Sequence, residues 1–382
     1  MGVDTFDVLV VGDARFQGGT TAAMAADVAG FSGLGLKVGL LFVRSAYLDD
    51  SRDPPNPAAL ALADLPGVTR LTPGAAAHAR LAFLHHPMVF FRGIEERSPL
   101  SAERAMLVAH HAPFRADGSL EYDPVATLRR IRAALSLRAQ IAPVSGTVRR
   151  QLQSFAPVVR LTGEDWPNVF DTEAWPRGPE ILKGPGITIG RHGRVDGLKW
   201  PGTGPEIMAT LPASPEVRVR VLGCPHEELK RRGADLSQWE VLPFGAETPL
   251  AFLHSLDVFI FHYHRDLIEA FGRTIAEAAL TGRYCLLDPR LRATFGDVFD
   301  YCPPAGVGDA LARLRADPAT ARQRADDAAR EMRARYGLDS VGARLERLAR
   351  DPGTISRRGA QTTVFRTLRK LAGLYRRDRR NI

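Results

Sequence analysis

The sequence predicts an α/β protein of two domains, each a parallel sheet covered by helices. Short apolar runs alternate with helical stretches in the first half of the chain, and the same alternation restarts near residue 187. A segment rich in Pro and Gly, without apolar periodicity, separates the two halves. A length of 382 residues suits two domains that each bury a core.

Each half supplies its own set of elements. In the first half, we predict strands at residues 8–11, 37–43, 81–84, 106–110 and 141–144, with helices at 20–34, 128–137 and 146–155. In the second half, we predict strands at residues 187–190, 217–222, 241–244, 257–261 and 284–287, with helices at 271–280, 310–336 and 338–349. The resulting domains are residues 1–172 and 187–350, joined by a linker at 173–186 and followed by a tail at 351–382.

Composition places the chain among globular proteins of a reducing compartment. Hydrophobic residues make up 45% and charged residues 25% of the chain. Its three cysteines are widely spaced, which argues against both a disulfide framework and a zinc site. The N-terminus enters an apolar run at once and lacks the features of a signal peptide, and no apolar stretch approaches the roughly 20 residues that span a bilayer. We therefore expect a cytoplasmic protein.

The net charge of +8 belongs to the tail. Nine of the 51 Lys and Arg residues but only one acid lie in residues 355–382, so the body is neutral. Apolar residues recur there at helical spacing opposite the cations, at Val364, Phe365, Leu368, Leu371, Ala372 and Tyr375. One interpretation is a solvated basic extension. The other is a basic amphipathic helix that binds an anionic surface such as the inner face of the membrane. A neutral body and the lack of a recognised fold in the tail argue against nucleic acid as the partner.

The sharpest pattern in the second half is a pair of glutamates around a glycine turn. Glu269 and Glu277 flank Gly272, just after the apolar run 258–261 and at the start of a predicted helix. Backbone amides at a helix N-terminus can receive a phosphate. The candidate amides belong to Phe271, Gly272, Arg273 and Thr274. The alternative is a surface turn with two solvated glutamates.

This segment resembles the E-x7-E signature of retaining glycosyltransferases of the GT-B fold, with Ala270 in place of the usual first glycine. The resemblance implies two Rossmann-like domains facing a central cleft and a nucleotide-sugar donor. It implies that Glu269 lies near the donor sugar and that Glu277 binds the nucleotide ribose. It also implies that transfer retains the anomeric configuration.

A second cluster lies at the start of the second domain. Arg191 and Lys199 follow the predicted strand at 187–190 and could both reach one diphosphate, offsetting its charge as the sugar departs. Ordinary loop cations are the alternative. The segment is similar to the G-R…K pattern of the same family, which implies a catalytic and donor-binding role for both residues. Trp200 follows Lys199 where the family has glycine.

Two weaker matches lie in the first half. Gly18 and Gly19 follow the first strand and open the first helix, where small residues let amides approach a phosphate. A tight turn would explain the same pair. Asn168 begins a segment similar to one that precedes the linker in the family. Residues 12–18 do not form G-x-G-x-x-G, which argues against a dinucleotide oxidoreductase.

Histidines cluster after three predicted strands, at His85 and His86, at His110 and His111, and at His262 and His264. Three interpretations stand: a zinc site, plain loop histidines, or the histidine that the family resemblance places against the donor sugar. For the last we select His110, with His111 next and His264 as a further candidate. No D-x-D pair occurs in the sequence, which favours a donor site that requires neither metal nor cofactor.

The sequence thus favours a metal-independent, hexosyltransferase-like enzyme that moves a sugar from a nucleotide-diphosphate donor to an acceptor. The expected acceptors are a glycan, a lipid-linked sugar or another cell-surface polysaccharide. The alternative is a noncatalytic protein of the same fold that binds a nucleotide sugar or a polyanion.

Overall fold

The computed structural model describes residues 3–378. Two compact units divide this chain: the first runs to Phe170 and resumes at Leu338, and the second is Asp171–Gly337. Each unit contains one six-stranded sheet in which every neighbouring pair of strands is parallel. The predicted pair of Rossmann-like α/β domains is therefore confirmed.

The strands alternate with helices along the chain. The strands are β1 (Asp4–Gly12), β2 (Val38–Phe42), β3 (Val68–Leu71), β4 (Ala77–His85), β5 (Leu100–Ala109), β6 (Ala139–Pro143), β7 (Ile187–His192), β8 (Val217–Leu222), β9 (Trp239–Leu242), β10 (Val258–Phe261), β11 (Tyr284–Leu287) and β12 (Asp300–Tyr301). The helices are α1 (Gly19–Gly33), α2 (Pro57–Leu60), α3 (Pro87–Phe91), α4 (Pro124–Leu135), α5 (Gly146–Leu152), α6 (Gly204–Thr210), α7 (His226–Arg231), α8 (Pro249–His254), α9 (Arg273–Leu280), α10 (Arg292–Phe295), α11 (Val307–Ala316), α12 (Pro318–Tyr336), α13 (Val341–Arg350) and α14 (Val364–Asp378). Within residues 3–378, no helix is long and apolar enough to cross a membrane.

Strand order locates the position in each sheet where a ligand can enter. The first sheet has the order β3-β2-β1-β4-β5-β6, and the second has β12-β11-β10-β7-β8-β9. In both, the first and fourth strands of the unit are neighbours, and the connections leave this point in opposite directions. Open parallel sheets bind ligands outside the carboxyl ends of the strands at such a switch point. The relevant edges are therefore the ends of β1 and β4 in the first unit and of β7 and β10 in the second.

The strand cores explain why these sheets form. Val8 to Val11 of β1 and all four residues of β10 are buried on both faces, as expected for strands covered by helices. The second unit also buries Trp200 and Trp239, whose rings stack 6.1 Å apart. These cores fix the strand ends that carry the polar residues described below.

The C-terminal helices lie in the first unit, whereas the sequence placed residues 338–350 in the second domain and 351–382 in a separate tail. Gly30 of α1 leaves room for Val341 of α13, whose side chain lies 3.2 Å from the position a Cβ would take at residue 30. Arg344 of α13 lies over the Trp166 ring at 4.1 Å and donates to the Pro167 carbonyl at 2.7 Å. These contacts join segments far apart in sequence, so local patterns did not reveal them.

Candidate functional site

The loop between β10 and α9 brings a helix N-terminus to the switch point of the second sheet. Gly272 caps α9 in the left-handed conformation, with φ 88°. A Cβ at this position would lie 2.8 Å from Cδ1 of Ile275, so the turn requires glycine for both its backbone angle and its packing. The positive end of the α9 helix dipole lies at this turn, which gives the start of α9 the character of an anion site.

Lys199 and Glu269 form an ion pair at this edge of the sheet, between Nζ and Oε2. Lys199 belongs to a helical turn after β7, which Asp196 caps by accepting from the Leu198 amide at 2.9 Å. The side chain of Glu269 is 9% exposed and that of Lys199 is 27% exposed, so the lysine faces solvent more than its partner. The structure therefore brings together two residues that lie 70 positions apart, and one of them is accessible to a ligand.

Arg191 has a different environment from the one that the sequence suggested. Its side chain is 2% exposed, and it donates to the carbonyls of His262 at 2.7 Å and Lys199 at 2.6 Å. The guanidinium also lies over the rings of Trp200 at 4.3 Å and Phe261 at 4.4 Å. Burial lowers its pKa to about 9. Arg191 thus braces β7, the turn carrying Lys199 and the end of β10 from beneath, and it fixes the backbone of the exposed lysine.

Glu277 lies on α9 beside His192, the last residue of β7. His192 Nε2 is 3.6 Å from Oε2 of Glu277, and Arg273 Nε is 3.9 Å from Oε1. Burial raises the pKa of Glu277 and lowers that of His192 to about 4. The sequence analysis did not select His192. Its position directly after Arg191, at the carboxyl end of a strand, was the signal that could have identified it.

The two histidines that the sequence analysis singled out in the second unit, His262 and His264, have structural contacts. His262 is buried, and its Nε2 lies 2.8 Å from the Cys302 carbonyl oxygen. The ring of His264 packs where a side chain at Gly202 would otherwise lie, with Nε2 at 3.0 Å from that Cβ position. Among the residues that the structure describes, no group of three or more His, Cys, Asp and Glu side chains could hold a metal ion.

In the first unit, the carboxyl ends of β4 and β5 carry a row of four histidines. His85 Nδ1 lies 3.2 Å from His110 Nε2, and their rings stack with centroids 5.4 Å apart. His86 stacks on His110 at 6.1 Å and on His111 at 6.0 Å. Burial lowers the pKa of His85 to about 3, so this ring is neutral at physiological pH. His110 is half-buried at the outer end of this contact.

A buried carboxylate from α1 lies behind this row. Asp27 is 2% exposed, accepts a hydrogen bond from Nε1 of Trp166 at 3.0 Å and lies 3.6 Å from Nε2 of His85. Asp27, His85 and His110 therefore follow one another from the core to the sheet edge, with a hydrogen-bond contact between the two rings and a 3.6 Å contact between His85 and Asp27. The sequence analysis missed Asp27 because its surroundings along α1 are small and apolar.

The loop after β1 reaches the same edge. Gly18 caps α1 with φ 70°, and both Gly18 and Gly19 are exposed at the start of this helix. The loop itself is held by Arg15, which pairs with Asp13 at 2.7 Å and with Asp50 at 2.5 Å. A fixed loop and an exposed glycine pair leave the first-turn backbone of α1 open to a ligand.

The selected residues therefore divide into two sets. In the second unit, the structure joins Lys199 to Glu269 directly, Arg191 to the backbone of Lys199, and Glu277 to Arg273 and His192. In the first unit, His110 and His111 lie in the histidine row, and the glycine pair lies at the start of α1. His264 lies against Gly202, and its backbone amide donates to the Leu198 carbonyl at 3.0 Å.

Comparison with known proteins supports the architecture at low sequence identity. No protein-family model matches the chain, and no curated protein matches it either. Among solved structures, HepE of Anabaena in complex with UDP and glucose has 14% identity and a TM-score of 0.58, covering 89% of this chain and 98% of that one. The same protein has also been solved in complex with UDP-glucose, with a TM-score of 0.57.

Two further structures are similar. The E. coli trehalose-6-phosphate structure with bound UDP-2-fluoro glucose has 11% identity and a TM-score of 0.56, over 91% of this chain and 100% of that one. TarM of S. aureus has 11% identity and a TM-score of 0.50, over 70% of this chain and 54% of that one. The two parallel six-stranded sheets and these matches over most of the chain establish that the protein has the two-domain, Rossmann-like GT-B fold.

Proposed function

We propose that this protein is a glycosyltransferase that moves a sugar from a nucleotide-diphosphate donor to a glycan acceptor. The observation that carries the proposal is the accessible Lys199, paired with Glu269 at the sheet switch point beside the start of α9. A cation and a helix N-terminus together can hold a diphosphate and stabilise it as a leaving group. The bound UDP and UDP-glucose of HepE, which has the same fold, support a UDP-sugar as the donor.

Each candidate donor-site residue of the second unit has a role in this proposal. Lys199 leaves its ion pair with Glu269 and binds the donor phosphates instead. The released carboxylate of Glu269 then accepts hydrogen bonds from hydroxyl groups of the sugar. Arg191 holds Lys199 in place through the backbone carbonyl and adds positive charge beneath it. The amides of Phe271 to Thr274 face the phosphates. Glu277, held between Arg273 and His192, accepts hydrogen bonds from the hydroxyl groups of the ribose.

The histidine row of the first unit supplies the group that contacts the reacting sugar. We assign this part to His110, with His111 beside it, and the exposed Gly18 and Gly19 to binding through the backbone. The contact between His85 Nδ1 and His110 Nε2 at 3.2 Å fixes the His110 ring, and Asp27 supports His85 from within the core. When neutral His85 accepts at Nδ1 from Nε2–H of His110, Nδ1 of His110 remains as the hydrogen-bond acceptor of that ring.

The finer assignments rest on the family resemblance and on chemistry. We propose that transfer retains anomeric configuration, that the sugar is a hexose, and that Lys199 and the helix N-terminus replace a metal ion. The acceptor is a glycan, a lipid-linked sugar or a cell-surface polysaccharide. The three cysteines form no disulfide, which supports a location in the reducing cytoplasm. We propose a role in polysaccharide biosynthesis there, with a donor from the same compartment.

A thermal-shift screen against nucleoside diphosphates and their sugars tests the donor site. We expect the matching nucleotide to raise the unfolding temperature of the wild type, because a ligand that binds only the folded state stabilises it. Glu277→Gln should lose most of this shift, whereas Glu173→Gln, at an exposed position of the same unit, should retain it. A wild type that responds to no member of the panel would contradict the proposal.

Turnover then distinguishes the enzyme from a noncatalytic binding protein of the same fold. The buried Asp27 and His85 behind the half-buried His110 favour the enzyme, because a histidine whose ring is oriented by a second group is typical of catalytic sites. Release of the nucleotide diphosphate from the matching donor, measured with a glycan acceptor mixture, should exceed its release without acceptor. Saturable donor binding without any release would instead support the binding protein.

A further inference from the structure

Helix α14 docks on the first unit through a face that excludes its most exposed apolar side chains. Thr367 is buried and donates to the Ser154 carbonyl at 3.2 Å, Leu374 is buried, and the ammonium of Lys370 donates to the Gly118 carbonyl. Before the helix, Arg357 donates to the Ser154 carbonyl at 2.6 Å. The helix is therefore attached to the body through Thr367, Lys370 and Leu374, which fixes the orientation of its other side chains.

This docking leaves large apolar side chains in solvent. Phe365 is 74% exposed, Leu368 is 58% exposed and Tyr375 is 61% exposed, and Val364 is half-exposed beside them. Val364, Leu368 and Tyr375 are spaced by four and seven residues, so they form one strip along the helix. We call Val364, Phe365, Leu368 and Tyr375 the apolar strip. Solvated basic extensions do not need such a strip, and isolated exposed residues would not be aligned.

Cations run parallel to the apolar strip. Arg366, Arg369 and Lys370 line a groove of about 590 Å³ between α14 and the loop of Gly118, and the lining among the described residues includes no acid. The carboxylate of that loop, Asp117, accepts from the Ser119 amide at 2.7 Å. The exposed Arg376 lies one turn and more further along α14. The groove therefore presents positive charge and backbone next to exposed hydrocarbon.

We propose that α14 is a membrane-docking element that seats on an anionic lipid surface. The apolar strip enters the boundary between headgroups and acyl chains, and the cations beside it bind the lipid phosphates. The long stems of Arg366 and Arg369 let their charges stay at headgroup level while the helix lies flat, whereas the ammonium of Lys370 stays on the Gly118 carbonyl. A second copy of this chain is a poorer occupant, because two such basic strips would repel each other across a symmetric contact.

The inference is independent of the donor site, since vesicle binding needs no nucleotide. The test is co-sedimentation of the full chain with vesicles of phosphatidylcholine alone or of phosphatidylcholine mixed with phosphatidylglycerol. We expect the wild type to pellet with the anionic vesicles and to remain in solution with the neutral ones. Raising the salt concentration should weaken the binding, because the phosphate contacts are exposed.

Point variants test the surface without removing the helix, whose contacts hold Ser154 and Gly118. The double variants Phe365→Ser with Leu368→Ser, and Arg366→Gln with Arg369→Gln, should each reduce the partition into anionic vesicles at least tenfold. Val158→Ser and Arg265→Gln replace residues that are equally exposed elsewhere and should bind as the wild type does. Circular dichroism confirms that each variant is folded.

Three outcomes would overturn the proposal. The first is a wild type that stays in the supernatant with both kinds of vesicle, and the second is a wild type that pellets equally with both. The third is a double variant that pellets as well as the controls do. Nucleotide binding measured on the same preparations separates these failures from a failure of the donor site, because a folded chain with an intact donor site still shifts its unfolding temperature.

Discussion

Replacing Arg191 with alanine should destabilise the second unit strongly, because this side chain joins three segments from a buried position. The guanidinium donates to the carbonyls of His262 and Lys199 at 2.7 and 2.6 Å, and it lies over two aromatic rings. A hydrogen bond to a charged group contributes about 1.5–3 kcal/mol, and each cation–π contact adds about 2 kcal/mol when desolvated. The alanine variant loses all four contacts and leaves two carbonyls without their donor.

Burial of the charge opposes these gains, as the lowered pKa of about 9 indicates. We therefore expect a net loss of about 3–5 kcal/mol, because two carbonyls lose their donor and each unsatisfied buried group costs about 1–3 kcal/mol. Arg191→Lys should fall between the wild type and the alanine variant. Lysine keeps the positive charge but cannot bond both carbonyls with the geometry of a planar guanidinium.

Urea unfolding followed by tryptophan fluorescence measures this loss, since Trp200 lies against Arg191. Arg194→Ala is the matched control, because Arg194 is exposed in the same loop and its replacement should change the free energy of unfolding by no more than about 0.5 kcal/mol. A loss below about 1 kcal/mol in Arg191→Ala would refute the structural role that we assign to this residue.

Three other predictions concern single positions. Gly272→Ala should lower stability by about 1–2 kcal/mol for the left-handed angle alone and by more for the 2.8 Å contact of its Cβ. Gly245 has φ 86° and open space around its Cβ, so Gly245→Ala should lose only the stability that the left-handed angle costs. Equal unfolding temperatures for the two variants would contradict this account. His192 has a folded pKa of about 4, below its unfolded value, so the unfolded state binds more protons and stability falls as the pH drops from about 6.5 toward 4. This group alone should lower stability by about 2 kcal/mol at pH 5, and His192→Gln should flatten the acid limb of a pH titration of unfolding by that amount; an unchanged limb would argue against it. His110→Ala should reduce donor turnover at least tenfold while nucleotide affinity stays within about twofold, and steady-state kinetics with a binding titration would expose the opposite pattern.

The sequence predicted most of the fold because apolar runs mark strands buried on both faces. Residues 217–222 and 284–287 were placed at their observed bounds, as β8 and β11. The edge strand β3 was missed because Val68–Leu71 contains two exposed polar residues and no apolar run. Single-strand patterns register burial, so strands that face solvent give little signal.

Boundaries set by tertiary contacts were the harder part. The predicted helix at 310–336 is two helices, because Asp317 caps α12 by accepting from the Thr320 amide and Pro318 begins it. The tail was predicted to form a helix with one apolar face; α14 is a helix, but its apolar residues divide between an exposed side with Phe365 and Leu368 and a docked side with Leu374. Its docking residues Thr367 and Leu374 were not anticipated, because which side of a helix meets the body depends on the surface that it meets.

The candidate site shows the same division. Spacing and strand ends selected Lys199 and Glu269, which the structure brings into contact. The burial of Arg191 could not be predicted from the sequence. A cation at a strand end can point into solvent or beneath the loop, and the local sequence pattern is the same in both cases. The buried Asp27 lay outside any motif and became apparent only through its neighbours His85 and Trp166.

The most direct test of the central claim is calorimetric titration of UDP-glucose, and of the preferred donor from the thermal-shift screen, into the wild type and Lys199→Ala. If Lys199 and the start of α9 hold the donor diphosphate, the wild type should bind saturably and Lys199→Ala should bind at least tenfold more weakly, while Arg194→Ala matches the wild type. Equal affinity of Lys199→Ala and the wild type would contradict the account.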